Sequence, residues 1–374
     1  MRISSLKERN EKRNERLVYT GGQWHLIWTR FKRHRIAMVG GIIVLLFYLV
    51  AIFAEFIAPY DPHFRDMSNI LAPPMVIHLR DQAGKFHPPL VYGLEEKRDM
   101  ETLARTFVVD NSKQFALRFF VRGDPYKMWG LWERDLHLFG VQGGRVYLLG
   151  ADEQGRDLFS RCVYGARISL TIGLVGIALS FGLGITLGAI SGYFGGTPDI
   201  IIQRVIELLI SIPNLPLWMA LSAAIPLSWS ITKVFFAITV ILSLLGWPGL
   251  ARQVRGKLLS LREQEFVIAA RLDGCGGARV MFRHMIPSFL SHIIASATLA
   301  IPGMILGETA LSFLGIGLRA PAISWGVILQ GAQNIQAVVL TPWLLLPVIF
   351  VVLVVLAFNF LGDGLRDAAD PFTE

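Results

Sequence analysis

The side chains in this sequence that could do chemistry are few, and they sit in unusual places. Glu207 and Glu308 both fall inside long apolar runs. There an ionisable group is expensive and ordinarily serves an ion path, a proton relay or a structural pair. Arg204 stands one turn before Glu207, so an ion pair along one helix face is the simpler account of that carboxylate. Glu308 has no such neighbour in the reading, and gating or packing roles are equally open to it. His284 and Ser288 are four residues apart and could face each other on a helix. A nucleophile also needs an orienting group and an oxyanion site, and neither is in view. Cys162 and Cys275 are the only cysteines. They have neither the spacing of a zinc site nor a catalytic partner. No Gly-x-x-x-x-Gly-Lys-Ser/Thr phosphate loop occurs, so nucleotide hydrolysis, if any is used, comes from another chain. No catalytic residue, cofactor site or metal site is assigned.

The elements that must carry these residues are membrane helices. Of the 374 residues 53% are hydrophobic and only 17% charged, less charge than a soluble domain carries. A crossing helix needs ~20 apolar residues. Six segments approach that length: 36–58, 168–190, 200–225, 234–250, 290–314 and 343–361. The charged segment 1–35 ends in "TRFKRHR" at the mouth of the first of them and lacks the core and cleavage site of a secretory signal. Basic residues there place that end in the cytoplasm, with anionic lipid as its expected partner. It has no interleaved aromatics, so nucleic acid is not expected. Six crossings return the C-terminal tail, 363–374, to the same side. The inner loop 251–289 then holds Arg252, Arg255, Lys257, Arg262, Arg271, Arg279 and Arg283, whereas the short outer loops hold only Lys233 and Arg319. The net charge of +8 is therefore a basic inner face, as the charge bias of membrane proteins requires. Cys162 and Cys275 fall on opposite sides, which excludes a disulfide between them.

Between the first and second spans lies an outer insertion, 59–165. "QFALRFFVRGD" alternates Phe115, Leu117, Phe119 and Val121 against Gln114, Arg118 and Arg122, the pattern of a strand with one buried side. "HLFGVQGGRVYLLG" reads as a hairpin turning at Gln142-Gly143-Gly144, and residues 94–106 as a helix. The insertion holds too many Phe, Trp and Leu to stay disordered, so a small α+β unit is expected. In the second span Gly173, Gly176, Gly182, Gly184 and Gly188 allow close helix packing. Pro213 and Pro216 should kink the third by removing backbone donors.

One polar segment, "LREQEFVIAARLDGCGGARVMFRHMIPSFL", interrupts the apolar runs. Ser260 and Glu263 have the spacing of a capping box. Glu263 and Glu265 near the start of the ensuing helix, and Arg271 near its end, suit the helix dipole. Leu261, Glu265, Ile268 and Leu272 form one stripe, with Ala269 and Ala270 removing bulk beside it. Gly274 supplies the left-handed stop. A second short helix, 277–285, leads to Pro287 and the fifth span. Two short helices with a glycine corner on the cytoplasmic face make an interaction surface.

"FVIAARLDGCGGARVMFRHMIPS" resembles the cytoplasmic signature of the permeases of binding-protein-dependent ABC importers. Ala269, Ala270, Gly274, Ile286 and Pro287 fall in register with it, while Ile268 stands where that pattern has glutamate. "RHMIP", "LGADEQGRDLFSRCVYGARISL", "GETALSFLGIGLRAPAISWGVIL" and "RDAADP" are similar to the oligopeptide/dipeptide/nickel branch. The resemblance covers most of 149–371 and the first span, and says little about 64–147. It implies a non-catalytic, all-α polytopic subunit with six transmembrane helices of the type I importer kind, carrying the outer insertion, with a permease core over 166–362. The implied partners are a second, homologous permease, two ATP-binding cassette subunits holding ATP and Mg, and an extracytoplasmic solute-binding protein. The implied place is the bacterial inner membrane. Within the loop 252–287 it implies a coupling helix seated on an ATPase, with Phe266, Ala269, Ala270, Arg271, Leu272, Gly274 and Pro287 as coupling residues. Pro213, Pro216, Glu207 and Glu308 are candidates for gating or packing. The implied cargo is an oligopeptide or dipeptide; nickel complexes, opines and some sugars are served by the same branch. An ion-coupled secondary transporter is the more distant alternative.

Overall fold

A computed structural model describes residues 23–80, 86–98 and 105–369. A basic helix, α1 (Gln23–Arg33), leads into the first span, α2 (Arg35–Ile52), which a short turn of helix, α3 (Ala54–Ile57), prolongs outward. The outer insertion contributes β1 (Ile77–Arg80), β2 (Phe86–Arg98), β3 (Arg105–Ala116), β4 (Arg118–Met128) and β5 (Trp132–Gly140). These form two separate antiparallel sheets, β1-β2-β3 and β4-β5. The remaining spans are α4 (Leu158–Phe194), the pair α5 (Gly196–Ser211) and α6 (Asn214–Ala223), and α7 (Ile231–Leu261). After the polar loop come α11 (Leu290–Phe313) and α14 (Pro347–Ala369). That loop holds α8 (Glu265–Leu272), α9 (Gly277–Arg279) and α10 (Ile286–Ser288). Two short outer helices, α12 (Trp325–Leu329) and α13 (Ile335–Leu340), lie between the last two spans. The chain is thus a mostly helical membrane protein, as the apolar runs imply, and it carries a small β insertion. Basic segment 1–22 and tail residues 370–374 lie outside the described residues.

The bundle closes where side chains are missing. Gly184, Gly188 and Gly192 recur every fourth residue along α4. A Cβ on Gly184 would lie 3.0 Å from the Trp247 carbonyl, and one on Gly192 would lie 2.8 Å from that of Arg255. Small residues at this spacing let α4 and α7 approach along their backbones. Gly173 and Gly176 face Ile305 and Met304 of α11 in the same way, whereas Gly182 faces open space. Gly40 of α2 lies against the Ala357 carbonyl of α14.

The third span differs from a kinked helix. α5 and α6 meet at an 88° bend, and only Pro213 stands at the break, as the residue preceding α6. Pro216 lies in the first turn of α6, where a missing N–H deprives no carbonyl of a partner. The pair starts beside the C-terminal end of α7, through Asp199 and Arg255. It ends beside the C-terminal end of α11, where Ser222 and Ile225 line a cavity with Ile316 and Leu318. Those are opposite ends of the bundle, so the broken pair traverses it.

Several local expectations are overturned. Residues 94–98 and 105–106 are strand, not helix: Glu96 pairs with Phe107 and Lys97 with Thr106 across the β2–β3 ladder, and an Arg105–Glu96 ion pair of 3.3 Å braces it. Cross-strand pairing overrides the helix preference of Glu and Lys. The 114–124 strand breaks at Leu117, with the chain passing to the second sheet. Phe119 is 70% exposed rather than buried. No hairpin forms at 142–144, because Val146 and Tyr147 leave the ladder to fill the insertion core with Met75, Val91 and Val141. The hairpin turns at Trp129-Gly130-Leu131 instead, joining β4 to β5. Ser260 caps nothing. It lies in the last turn of α7, its hydroxyl donating to the Lys257 carbonyl at 2.9 Å, because burial of Leu258 draws that helix on past the expected end of the span.

Candidate coupling surface

α8 is short and two-faced. Val267 and Ala270 are buried against the inner end of the bundle, while Phe266, Ile268, Ala269 and Leu272 face outward, Leu272 being 83% exposed. The two alanines therefore differ: Ala270 admits the helix to its own chain, and Ala269 keeps its outer face low. Glu265 lies in the first turn and Arg271 in the last, opposite charges at the ends the helix dipole favours. The helix starts at Gln264 without a side-chain cap. It stops at Gly274, whose φ of +76° is the left-handed conformation that glycine adopts without steric penalty. No atom lies within 4 Å of a Cβ built at Gly274, so the backbone alone requires glycine there.

The loop is tied to the end of α4. The Arg271 guanidinium lies 4.8 Å from the centroid of the Tyr193 ring, at the inner end of α4. Tyr193 also approaches Gly277, where a Cβ would lie 2.9 Å from the ring. α9 then runs through a π-helical turn, Val280–Met285, into α10. Val280, Met281 and Met285 are buried there. Pro287 falls in α10, one short break before α11. A clasp between two spans, invisible in the sequence pattern, lies nearby: Arg255 of α7 donates to both carboxylate oxygens of Asp199 on α5, at 2.6 and 2.6 Å. Ser191 of α4 donates to the same carboxylate.

The membrane carboxylates divide as their neighbours dictate. Glu207 accepts from Arg204 at 2.8 Å and is half exposed, so the ion pair expected on that face is present. Glu308 is fully buried. It accepts hydrogen bonds from Ser324 at 2.7 Å, Ser312 at 2.8 Å and Ser169 at 3.2 Å. Those hydroxyls in turn accept from the backbone N–H groups of Val327, Leu318 and Trp325. The knot fastens α4, α11, the following outer loop and α12 to one carboxylate. Ser288 donates to the Met285 carbonyl rather than to His284. Among the described residues no group of three or more His, Cys, Asp or Glu is placed to hold a metal.

At the outer end, the run 152–161 is a knot of its own. Asp152 accepts from Arg156 at 2.7 Å and faces Arg161 at 3.4 Å. Asp157 caps α4 through the Ser160 N–H, and Gly155, at φ +70°, is packed against the Asp66 backbone. Arg167 grips Glu55 with both terminal nitrogens, at 2.9 and 2.6 Å.

Residues 184–374, which hold the polar loop and the residues it packs on, match the model of the binding-protein-dependent transport system inner membrane component. The chain belongs to that family. Residues 22–74 match the N-terminal transmembrane domain of oligopeptide transport permease C. The oligopeptide transport permease OppC of Bacillus subtilis is 30% identical over 93% of this chain and 89% of its own length. OppC of Haemophilus influenzae is 42% identical over 60% and 70%. The dipeptide permease DppC of Alkalihalophilus pseudofirmus is 41% identical over 59% and 71%. A solved methionine ABC transporter, MetNI, is 20% identical over 57% of this chain and 98% of its own, with a TM-score of 0.42. The family resemblance drawn from the motifs is therefore correct. The chain is a multi-pass inner-membrane permease, the non-catalytic component of a binding-protein-dependent transporter whose ATP is handled by partner ATPases.

Proposed function

We propose that this permease carries an oligopeptide or dipeptide inward, paired with a second, homologous permease and two ATP-binding cassette subunits, with α8 seated in a groove of one of them. The observation that carries the reading is the division of α8 between a buried inner face and an outer face of Phe266, Ile268 and Leu272. Burying an exposed side chain of that size stabilises a contact by ~1.5–3 kcal/mol, so apolar anchors left open beside a glycine stop suit a protein groove better than water. Closure of the ATPase dimer would push α8, and Tyr193 and the Asp199–Arg255 clasp would pass the displacement to α4, α5 and α7. Such a permease rocks between two states biased by nucleotide.

Basic residues at the end of α1, Arg30, Lys32 and Arg33, support a cytoplasmic N-terminus held on anionic lipid. Six crossings then place the C-terminus on the same side. The organisation that follows is a basic segment 1–35, a first span 36–58, an insertion 59–165, a permease core 166–362 with the loop 252–287, and a tail 363–374. The peptide reading draws on the named activities of the OppC and DppC relatives.

A photoreactive residue placed at Leu272 in the assembled complex should cross-link to an ATP-binding subunit, and one at Ser112, in the outer insertion, should not. Exclusive labelling of lipid from position 272 would refute the docking. Mass analysis of the solute retained by the binding protein tests the cargo: a metal chelate or sugar in place of peptides would overturn that part.

A further inference from the structure

The geometry points to a second membrane attachment: the tip of the β4–β5 hairpin, Trp129 to Trp132, is inserted in the outer leaflet at the boundary between acyl chains and headgroups. The hairpin runs alongside the outward extension of the first span, and it points back toward the bilayer. Midway along it, both ring nitrogens of His137 meet the carbonyls of Ala58 and Asp124. At its tip, the indole N–H of Trp129 donates to the Ile52 carbonyl at 2.8 Å, and its backbone N–H donates to Glu55. The tip therefore lies beside the last residue of α2, closer to the membrane than the strands behind it.

Depth follows from helix length. α2 has 18 residues, about 27 Å at ~1.5 Å per residue, against a hydrocarbon layer of ~30 Å. With Arg35 at the inner boundary, Ile52 falls just inside the outer one. Trp129 is fastened to that residue, so its ring lies at the depth where tryptophan is enriched in membrane proteins.

The side chains at the tip suit that depth. Trp129 is 48%, Leu131 71% and Trp132 55% exposed. Their apolar surface continues the exposed stripe of α2, from Leu45 and Leu49 through Ile52 to Phe53, whose ring lies 6.0 Å from that of Trp129. Trp129 holds φ +51°, a left-handed backbone that disfavours a bulky residue. A tryptophan in that conformation, half exposed, is ill suited to water and well suited to a site where one edge is wet and the other apolar.

The test uses the full-length chain in its assembled complex, with Leu131→Cys carrying a nitroxide label, reconstituted in vesicles of phosphatidylethanolamine and phosphatidylglycerol. Cys162 and Cys275 are first replaced by alanine, and the background variant is checked for retained uptake. Lys113→Cys, on the other sheet, is the reference. Collision rates with oxygen and with a water-soluble nickel chelate report the surroundings. The inference expects oxygen to be favoured over nickel several-fold more at 131 than at 113. Equal ratios would place the tip in water, and low access to both reagents would place it against another protein; either result overturns the inference. In the same samples, brominated lipid should quench the wild-type chain more than Trp132→Phe. Unchanged quenching would also count against it.

Discussion

The guanidinium of Arg271 and the ring of Tyr193, 4.8 Å apart, join the short helix of the polar loop to the C-terminal end of the longest span. A cation–π contact at such an exposed place contributes only ~0.5–1 kcal/mol. Its importance lies in position: it is where α8 touches the end of α4.

Tyr193→Ala should therefore leave the permease folded and assembled while lowering the solute taken up per ATP hydrolysed. Tyr193→Phe keeps the ring and should retain the wild-type ratio. Uptake and phosphate release measured together in vesicles check this. Equal losses in both variants would assign the effect to the hydroxyl instead.

Glu308 is a fastening for four elements. Glu308→Ala would strand Ser169, Ser312 and Ser324, and each buried polar group left unpaired costs about 1–3 kcal/mol. The thermal midpoint in mild detergent should fall markedly. Glu308→Gln keeps the size and an accepting oxygen, so most of the stability should return. Glu308→Gln should also keep most of the uptake, whereas a proton-relay role would leave it stable but inactive.

The Asp199–Arg255 clasp is partly exposed, at 18% and 32%, so its net worth is modest, about 1 kcal/mol after solvent screening. Asp199→Ala and Arg255→Ala should each destabilise the inner end, and the double variant should lose less than their sum. A thermal-unfolding double-mutant cycle measures that coupling, and strict additivity would deny it.

Asp66 in the insertion is partly buried, which alone would raise its pKa, but hydrogen bonds from Ser68, Asn69 and Tyr147 outweigh burial and hold it below the ordinary value of 3.8. The fold thus favours the carboxylate. Its contribution is complete above the ordinary value and disappears as pH falls through the lowered one. Asp66→Asn should make the full-length chain less stable at neutral pH and flatten the acid limb of its thermal midpoint. An unchanged acid limb would contradict this.

Legibility in the sequence followed the range of the forces involved. The spans and the loop's two helices were readable because apolar runs and a glycine stop at Gly274 are local signals. Phe266, Ala269, Ala270, Arg271 and Leu272 share one short helix, with Gly274 just past its end and Pro287 in α10, yet the unequal burial of Ala269 and Ala270 depends on what α8 packs against. Asp199 and Arg255 lie 56 residues apart, and nothing in the spacing marks them as partners. Glu308 was visible as an anomaly, but its three serines come from three separate elements. The insertion was read worst. Its strand boundaries are set by cross-strand register, so residues 94–98 become strand against their own preference and the hairpin forms at Trp129 rather than at the Gly143-Gly144 pair.

If α8 passes mechanical work from an ATPase to the spans, Gly274→Arg should interrupt that transfer. A Cβ at Gly274 meets no atom of this chain, but the new side chain would intrude on an ATPase seated as proposed. Because Gly274 holds φ +76°, Gly274→Ala, which carries the same backbone strain without the bulk, is measured beside it and should keep more of the uptake. The measurement is solute uptake per ATP hydrolysed, in vesicles holding the complete transporter and its binding protein. The Gly274→Arg complex should still be present in the membrane, hydrolysing ATP with uptake largely lost. Normal uptake with normal substrate-stimulated hydrolysis would contradict it.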